Sequence, residues 1–158
     1  MAKTDNIEKD GYLISTDQGR LDIRLIHQFL SVESYWAKNI PIEVVERSII
    51  NSICFGMYGE CGQIGFARLV TDKATFAYLA DVFILPEHRG KGLSKWLIAT
   101  IHAHPDVQGL RRWMLGTRDA HGLYAQFGWT PIPEELVTRF MQLHNLDVYN
   151  AERTTPNT

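Results

Sequence analysis

Asp81–Trp96, DVFILPEHRGKGLSKW, is the stretch on which the reading of this chain turns. An apolar run with the aromatic and β-branched residues of a strand reaches Pro86. A loop holding Arg89, Gly90, Lys91 and Gly92 follows, and a helical period begins at once. Such a loop leaves several backbone N–H groups without partners at a helix N-terminus. Those donors, with about half a unit of positive charge from the helix dipole, make a seat for phosphate. Glycines at 90 and 92 let the backbone approach an anion where a Cβ would intrude, and Arg89 and Lys91 add full charges. The plainer alternative is a tight strand-to-helix turn that needs glycine and is solvated by basic side chains. Two other phosphate motifs are excluded. No G-x-x-x-x-G-K-[ST] occurs, and Lys95 stands where the dinucleotide fingerprint needs its third glycine.

Upstream of this segment, Ser52–Tyr58, Gln63–Thr71 and Thr75–Leu85 read as three strands of an antiparallel meander, with turns at Gly59-Glu60 and at Thr71-Asp72-Lys73. Further upstream, Asp22 is placed to N-cap a helix carrying Ile23, Ile26, Phe29 and Leu30 on one face. A second helix follows Pro41, with Val44, Val45, Ile49 and Ile50 as its apolar stripe. Downstream, Leu93, Leu97, Thr100, Ile101 and His104 recur at helical spacing until Pro105. Arg112–Gly116 reads as a short strand, Asp119–Phe127 as a short helix closed by Gly128, and Arg139–Leu143 as a last strand. The pattern predicts one α+β domain: a mixed, mainly antiparallel sheet flanked by helices. It spans residues 1–146, with 147–158 as a weakly structured polar tail.

Composition bounds the rest. The 158 residues fit one domain, and 45% hydrophobic content with 22% charge is that of a globular protein with a real core. A net charge of -2 gives no field toward nucleic acid, and Arg111-Arg112-Trp113 is too short a basic run to argue for it. No apolar stretch approaches the ~20 residues of a membrane span. Met1–Asp10 is polar, without a signal-peptide core, so the expected home is the cytoplasm. Cys54 and Cys61 make no disulfide framework and are expected to face each other across a hairpin as thiols. His102-x-His104 does not put both rings on one helix face, and no metal site is expected.

Two motifs carry a resemblance. Arg89-Gly90-Lys91-Gly92-Leu93-Ser94 resembles the R-x-x-G-x-G/A pyrophosphate loop of the GNAT superfamily, the acetyl-CoA-dependent N-acetyltransferases. Leu123-Tyr124-Ala125-Gln126-Phe127-Gly128-Trp129 resembles that superfamily's second signature, an aromatic pair followed by Gly-aromatic. Element order agrees over roughly Asp22 to Leu143. Ser94 departs from the usual Gly or Ala, and Thr117 stands where many members have an Asn that contacts the cofactor. The resemblance implies acetyl-CoA as co-substrate, with the strand around Val82, Phe83 and Ile84 lending backbone groups to the pantetheine arm. It implies that the loop Arg89–Ser94 holds the pyrophosphate, and that Tyr124 is the general acid toward the coenzyme A sulfur.

Asp81 is the leading candidate for the base, as the one charged residue in an apolar strand, with a structural ion pair to Arg68 as the equal alternative. His121, three residues before Tyr124, is the weaker candidate. Tyr35 and Trp36, with Arg68 and Tyr78, are the candidates for the acceptor side. The expected reaction is direct acetyl transfer to the primary amine of a small metabolite or amino acid. A peptide acceptor and a non-catalytic acyl-CoA sensor are the competing readings, and the chain is of a size that often forms homodimers.

Overall fold

Residues 4–150 are described by the structure, a computed structural model. Six strands form one sheet in chain order: β1 (Asn6–Lys9), β2 (Tyr12–Ser15), β3 (Ile53–Gly59), β4 (Gly62–Thr71), β5 (Phe76–Ile84) and β6 (Arg112–Leu115). β1 to β5 pair antiparallel, and β6 joins β5 in parallel. The helices are α1 (Ile23–Gln28), α2 (Ile42–Ile50), α3 (Leu93–His102), α4 (His121–Ala125) and α5 (Glu134–Val137). Asp22 caps α1 through a side-chain bond from the Leu25 N–H at 3.0 Å. The chain then continues as a single π-turn, Phe29–Glu33, which carries the apolar face on to Phe29 and Leu30. This is the α+β fold expected, a mixed and mainly antiparallel sheet between helices.

Strand alternation divides the core in two. Phe55, Met57, Leu69 and Leu79 meet Leu97, Ile98 and Ile101 of α3 on one face. Cys54, Phe66 and Phe83 meet Ile26, Phe29, Leu30, Val45 and Ile49 on the other. In β5 the alternation breaks. Ala77 and Leu79 point to the α3 face, yet beyond the break it is Ile84 that points there and Phe83 to the other. The cause is a bulge: Phe66 pairs with Phe83 and Arg68 with Ala80, so Asp81 and Val82 together oppose one residue, Ala67. Asp81 takes φ 55°, a left-handed conformation that costs a non-glycine residue about 1–2 kcal/mol.

Three expectations are corrected and one element is new. The polar start contains strand β1, joined to β2 by a tight turn in which Asp10 and Gly11 both have positive φ (51° and 81°). Arg139–Leu143 forms no strand; Phe140 instead lies under the Arg112 guanidinium, 4.7 Å from its ring centre. The cysteines do not face each other, because Cys54 pairs with Arg68 while Cys61 sits exposed at the hairpin tip. His104 lies beyond α3, where its Nδ1 accepts the Asp106 N–H at 3.2 Å. Of the expected tail, residues 151–158 lie outside the described residues; Tyr149 packs against the second core cluster. No helix among the described residues is long and apolar enough to cross a membrane.

Candidate active site

β5 and β6 pair from Phe76–Arg112 to Leu79–Leu115, and there the pairing ends. β5 runs on to Ile84 with β4 on one edge and an open edge on the other. Residues 80–84 therefore have no strand partner on that edge over four steps of roughly 3.3 Å, about 13 Å in all. A cavity of about 470 Å³ opens where the strands part, lined by residues 79–82 on one side and Leu115, Gly116 and Thr117 on the other. At the far end of the same edge, Gly90 and Gly92 adopt φ 78° and 76° and lead into α3. No side chain caps that helix, so its first amides keep their donors free. A Cβ built on either glycine meets open space, so no neighbouring protein atom demands glycine there. Positive φ and room for an incoming group account for it. Arg89 is tied back by its Nε–H to the Ile84 carbonyl at 2.9 Å, which fixes the loop to the strand end.

Residues 51–131 match the family described as Acetyltransferase (GNAT) domain. A Gibberella zeae protein that carries an acetyltransferase name is 34% identical over 148 residues, covering 80% of this chain and 82% of its own. The chain belongs to the GNAT family. A crystal structure of a GNAT-family protein from Xanthomonas campestris pv. campestris is 50% identical, with a TM-score of 0.85 over 90% of this chain and 99% of that one. A GNAT acetyltransferase from Elizabethkingia anophelis, solved with acetyl-CoA bound, is 13% identical, with a TM-score of 0.56 over 75% and 76% of the two chains. The last likeness is one of fold alone.

Within this GNAT fold the cavity gathers about half of the residues singled out in the sequence. Tyr124, Asp81, Val82, Thr117, Tyr35, Trp36, Arg68 and Tyr78 all line it. Phe83, Ile84 and Leu93 do not; their side chains are core, which leaves only their backbone for a ligand. His121 is exposed and off the wall. Lys91 and Ser94 stay at the loop and the first turn of α3.

Asp81 is engaged on both oxygens. Arg68 Nε donates to Oδ2 at 2.8 Å and Trp36 Nε1 donates to Oδ1 at 2.9 Å. Arg68 also donates from Nη1 to Ser52 Oγ at 3.2 Å. The ion pair anticipated from the sequence exists, and it fastens the strained bulge to β4 and to the aromatic segment after the π-turn. A carboxylate has about four acceptor positions, so the pair leaves some of them for a ligand.

Tyr124 is 8% exposed, and burial, with Tyr35 nearby, pushes its phenol up to about 12. It therefore holds its proton at any working pH. No hydrogen bond joins its hydroxyl to a described residue. Thr117 Oγ1 accepts the Ala120 N–H at 3.0 Å and so caps the turn that carries Tyr124. The Tyr35 hydroxyl accepts the Arg118 N–H at 2.9 Å, which ties the aromatic segment to that same turn.

The wall also contains residues that sequence reasoning passed over: Ser48 and Val44 of α2, Asp119, His144 and Tyr149. His144 and Tyr149 arrive from a chain segment without periodicity or motif. Asp119 adjoins the second motif, so its neighbourhood was the only signal on offer.

Proposed function

We propose that this protein transfers an acetyl group from acetyl-CoA to the primary amine of a small metabolite or amino acid, directly, in a ternary complex. The observation that carries this reading is the parting of β5 and β6, which puts an open strand edge, a glycine-rich helix start and Tyr124 around one cleft. The free amides at Gly92–Ser94 suit the pyrophosphate, and Arg89 and Lys91 add charge beside it. The open edge of residues 80–84 suits an amide-bearing arm laid down as an added strand. Acetyl-CoA bound in a GNAT structure of the same fold supports acetyl-CoA as the co-substrate.

Each residue has a task in this chemistry. A bulge amide near Val82 receives the oxyanion as the amine adds to the thioester carbonyl. Tyr124 gives its proton to the departing thiolate; a buried, protonated phenol beside the cleft suits that role. Asp81, with acceptor positions left over from Arg68 and Trp36, takes a hydrogen bond from the amine, whose proton leaves by way of the carboxylate or a water next to it. A covalent acetyl-cysteine has no support: Cys54 is buried, burial pushes its thiol up to about 12, and neither cysteine lines the cavity.

Thiol release from acetyl-CoA against small amines, amino acids and short peptides tests the reading. Turnover confined to small acceptors is the expected result. Turnover on peptides alone would favour a peptide acetyltransferase. Stabilisation by acetyl-CoA without turnover on any acceptor would favour a sensor.

A further inference from the structure

Resting on the acetyltransferase reading above, we propose that the acceptor is a primary amine joined to a flat apolar body, carrying neither carboxylate nor phosphate. The wall charges argue for this. Among the described residues, Arg68, Asp81 and the exposed Asp119 are the formally charged side chains lining the cavity, with the His144 imidazole beside them. Arg68 is already committed, with Nε on Asp81 at 2.8 Å and Nη1 on Ser52 at 3.2 Å. That pair sums to zero, so the charge left over is the negative one of Asp119. An acceptor carboxylate entering beside its own ammonium would meet that charge, and the guanidinium that could receive it already has its Nε–H on Asp81 and an Nη1–H on Ser52. An ammonium alone is drawn in. Arg118 does not line the wall; its guanidinium lies over the Tyr35 ring at 4.0 Å.

The apolar surface points the same way. Tyr35 and Trp36 are each 43% exposed and Tyr78 is 40% exposed, all three on the wall of one cavity, with Tyr149 beside them. Large rings left this open around a concave site are a mark of ligand contact. Their faces suit both a cation and a flat ring. Ile40 and Val44 add aliphatic wall and no further polar group.

Paired acceptors that share a ring test this: tryptamine against tryptophan, and phenethylamine against phenylalanine, each at saturating acetyl-CoA. The expected result is kcat/KM at least ~10-fold higher for the amine in each pair, about 1.4 kcal/mol of discrimination against the carboxylate. Asp119→Asn should narrow that ratio several-fold, because it removes the surplus charge and leaves the rings. Equal or better turnover of the amino acid overturns the proposal, as does no turnover of either ring-bearing amine. Thiol release on amino acids or peptides alone would keep the acetyltransferase and discard this acceptor. If acetyl-CoA neither raises the melting temperature nor loses its acetyl group to any acceptor, the acetyltransferase reading falls with it.

Discussion

Two cavities of similar volume lie in this molecule, about 470 Å³ where β5 leaves β6 and about 420 Å³ beside the end of α3. Size does not separate them. The second is lined by His102, Trp113, Phe127 and Trp129, whose rings pack edge-to-face or stacked with centres 5.2–6.2 Å apart. Several of its polar atoms are paired with one another: the Trp129 indole donates to His102 Nε2 at 3.0 Å, and the Gln108 amide donates to the carbonyls of His102 and His104. The first keeps the hydroxyl of Tyr124 without a hydrogen bond to a described residue, a strained aspartate and a strand edge with no strand partner. The second cavity is built around a packed aromatic cluster, whereas the first is built around a strained strand break with an open edge, which is where chemistry has room.

The sharpest test of that contrast is Tyr124→Phe. Turnover should fall at least ~10-fold, the range for a lost proton donor, while stabilisation by acetyl-CoA is kept. An unchanged rate would remove Tyr124 from the mechanism and leave the two cavities chemically alike. The wild-type pH profile gives a companion test. An alkyl amine of pKa about 10 is mostly protonated at pH 7, so the rate should rise with pH toward 10. With the phenol held up at about 12, Tyr124 should add no falling limb in that range. A fall in rate between pH 8 and 10, with the fold intact, would mean that a different acid serves the thiolate.

Arg68→Met probes the ion pair behind the first cavity. It strands Asp81, whose side chain is 9% exposed, with Trp36 as its remaining partner. Fully buried pairs lose about 3–5 kcal/mol when broken; this partly solvated one should lose roughly 2 kcal/mol. For a chain of this length that is about 4–8 °C in melting temperature. Adding Asp81→Asn should recover part of the loss, and additive losses in the double variant would show that the two residues are not coupled.

Much of this was legible in the sequence, and the misses have physical causes. The meander, the loop at Arg89–Ser94 and the helix after it were readable because apolar period and glycine placement coincide there. β1 was missed because all four of its residues are exposed, so an edge strand of this kind carries no alternation, although Asp10-Gly11 is a hairpin signal. Arg139–Leu143 has the composition of a strand but no partner edge, and Met141 and Leu143 stand almost wholly exposed. The bulge at Asp81 was invisible as geometry. What the sequence did show was a charge out of place in an apolar run, and the bulge, the pair with Arg68 and the cavity all meet at that residue. His144 and Tyr149 reach the wall by tertiary return of the chain, which no local pattern encodes.

The smallest predicted effects belong to the second cavity. An indole N–H can only donate, so its bond requires His102 Nε2 to be unprotonated. Burial lowers the His102 pKa from its ordinary value, in the same direction. Below about pH 6.5 the unfolded chain binds a proton at this histidine that the folded chain resists. Its contribution is therefore fully present above that pH and is lost as the pH falls. His102→Phe should flatten the dependence of melting temperature on pH between about 5 and 7; an unaltered slope would mean that His102 does not carry it. Trp129→Phe should cost about 1 kcal/mol at pH 8, some 2–4 °C, as one hydrogen bond is lost. Trp129 also meets the Tyr124 ring edge at 5.9 Å, so His102→Phe is the cleaner probe of turnover. The rate of that variant should stay within ~2-fold of wild type. A collapse of turnover with the fold retained would make the aromatic cluster part of the site and end the distinction between the two cavities.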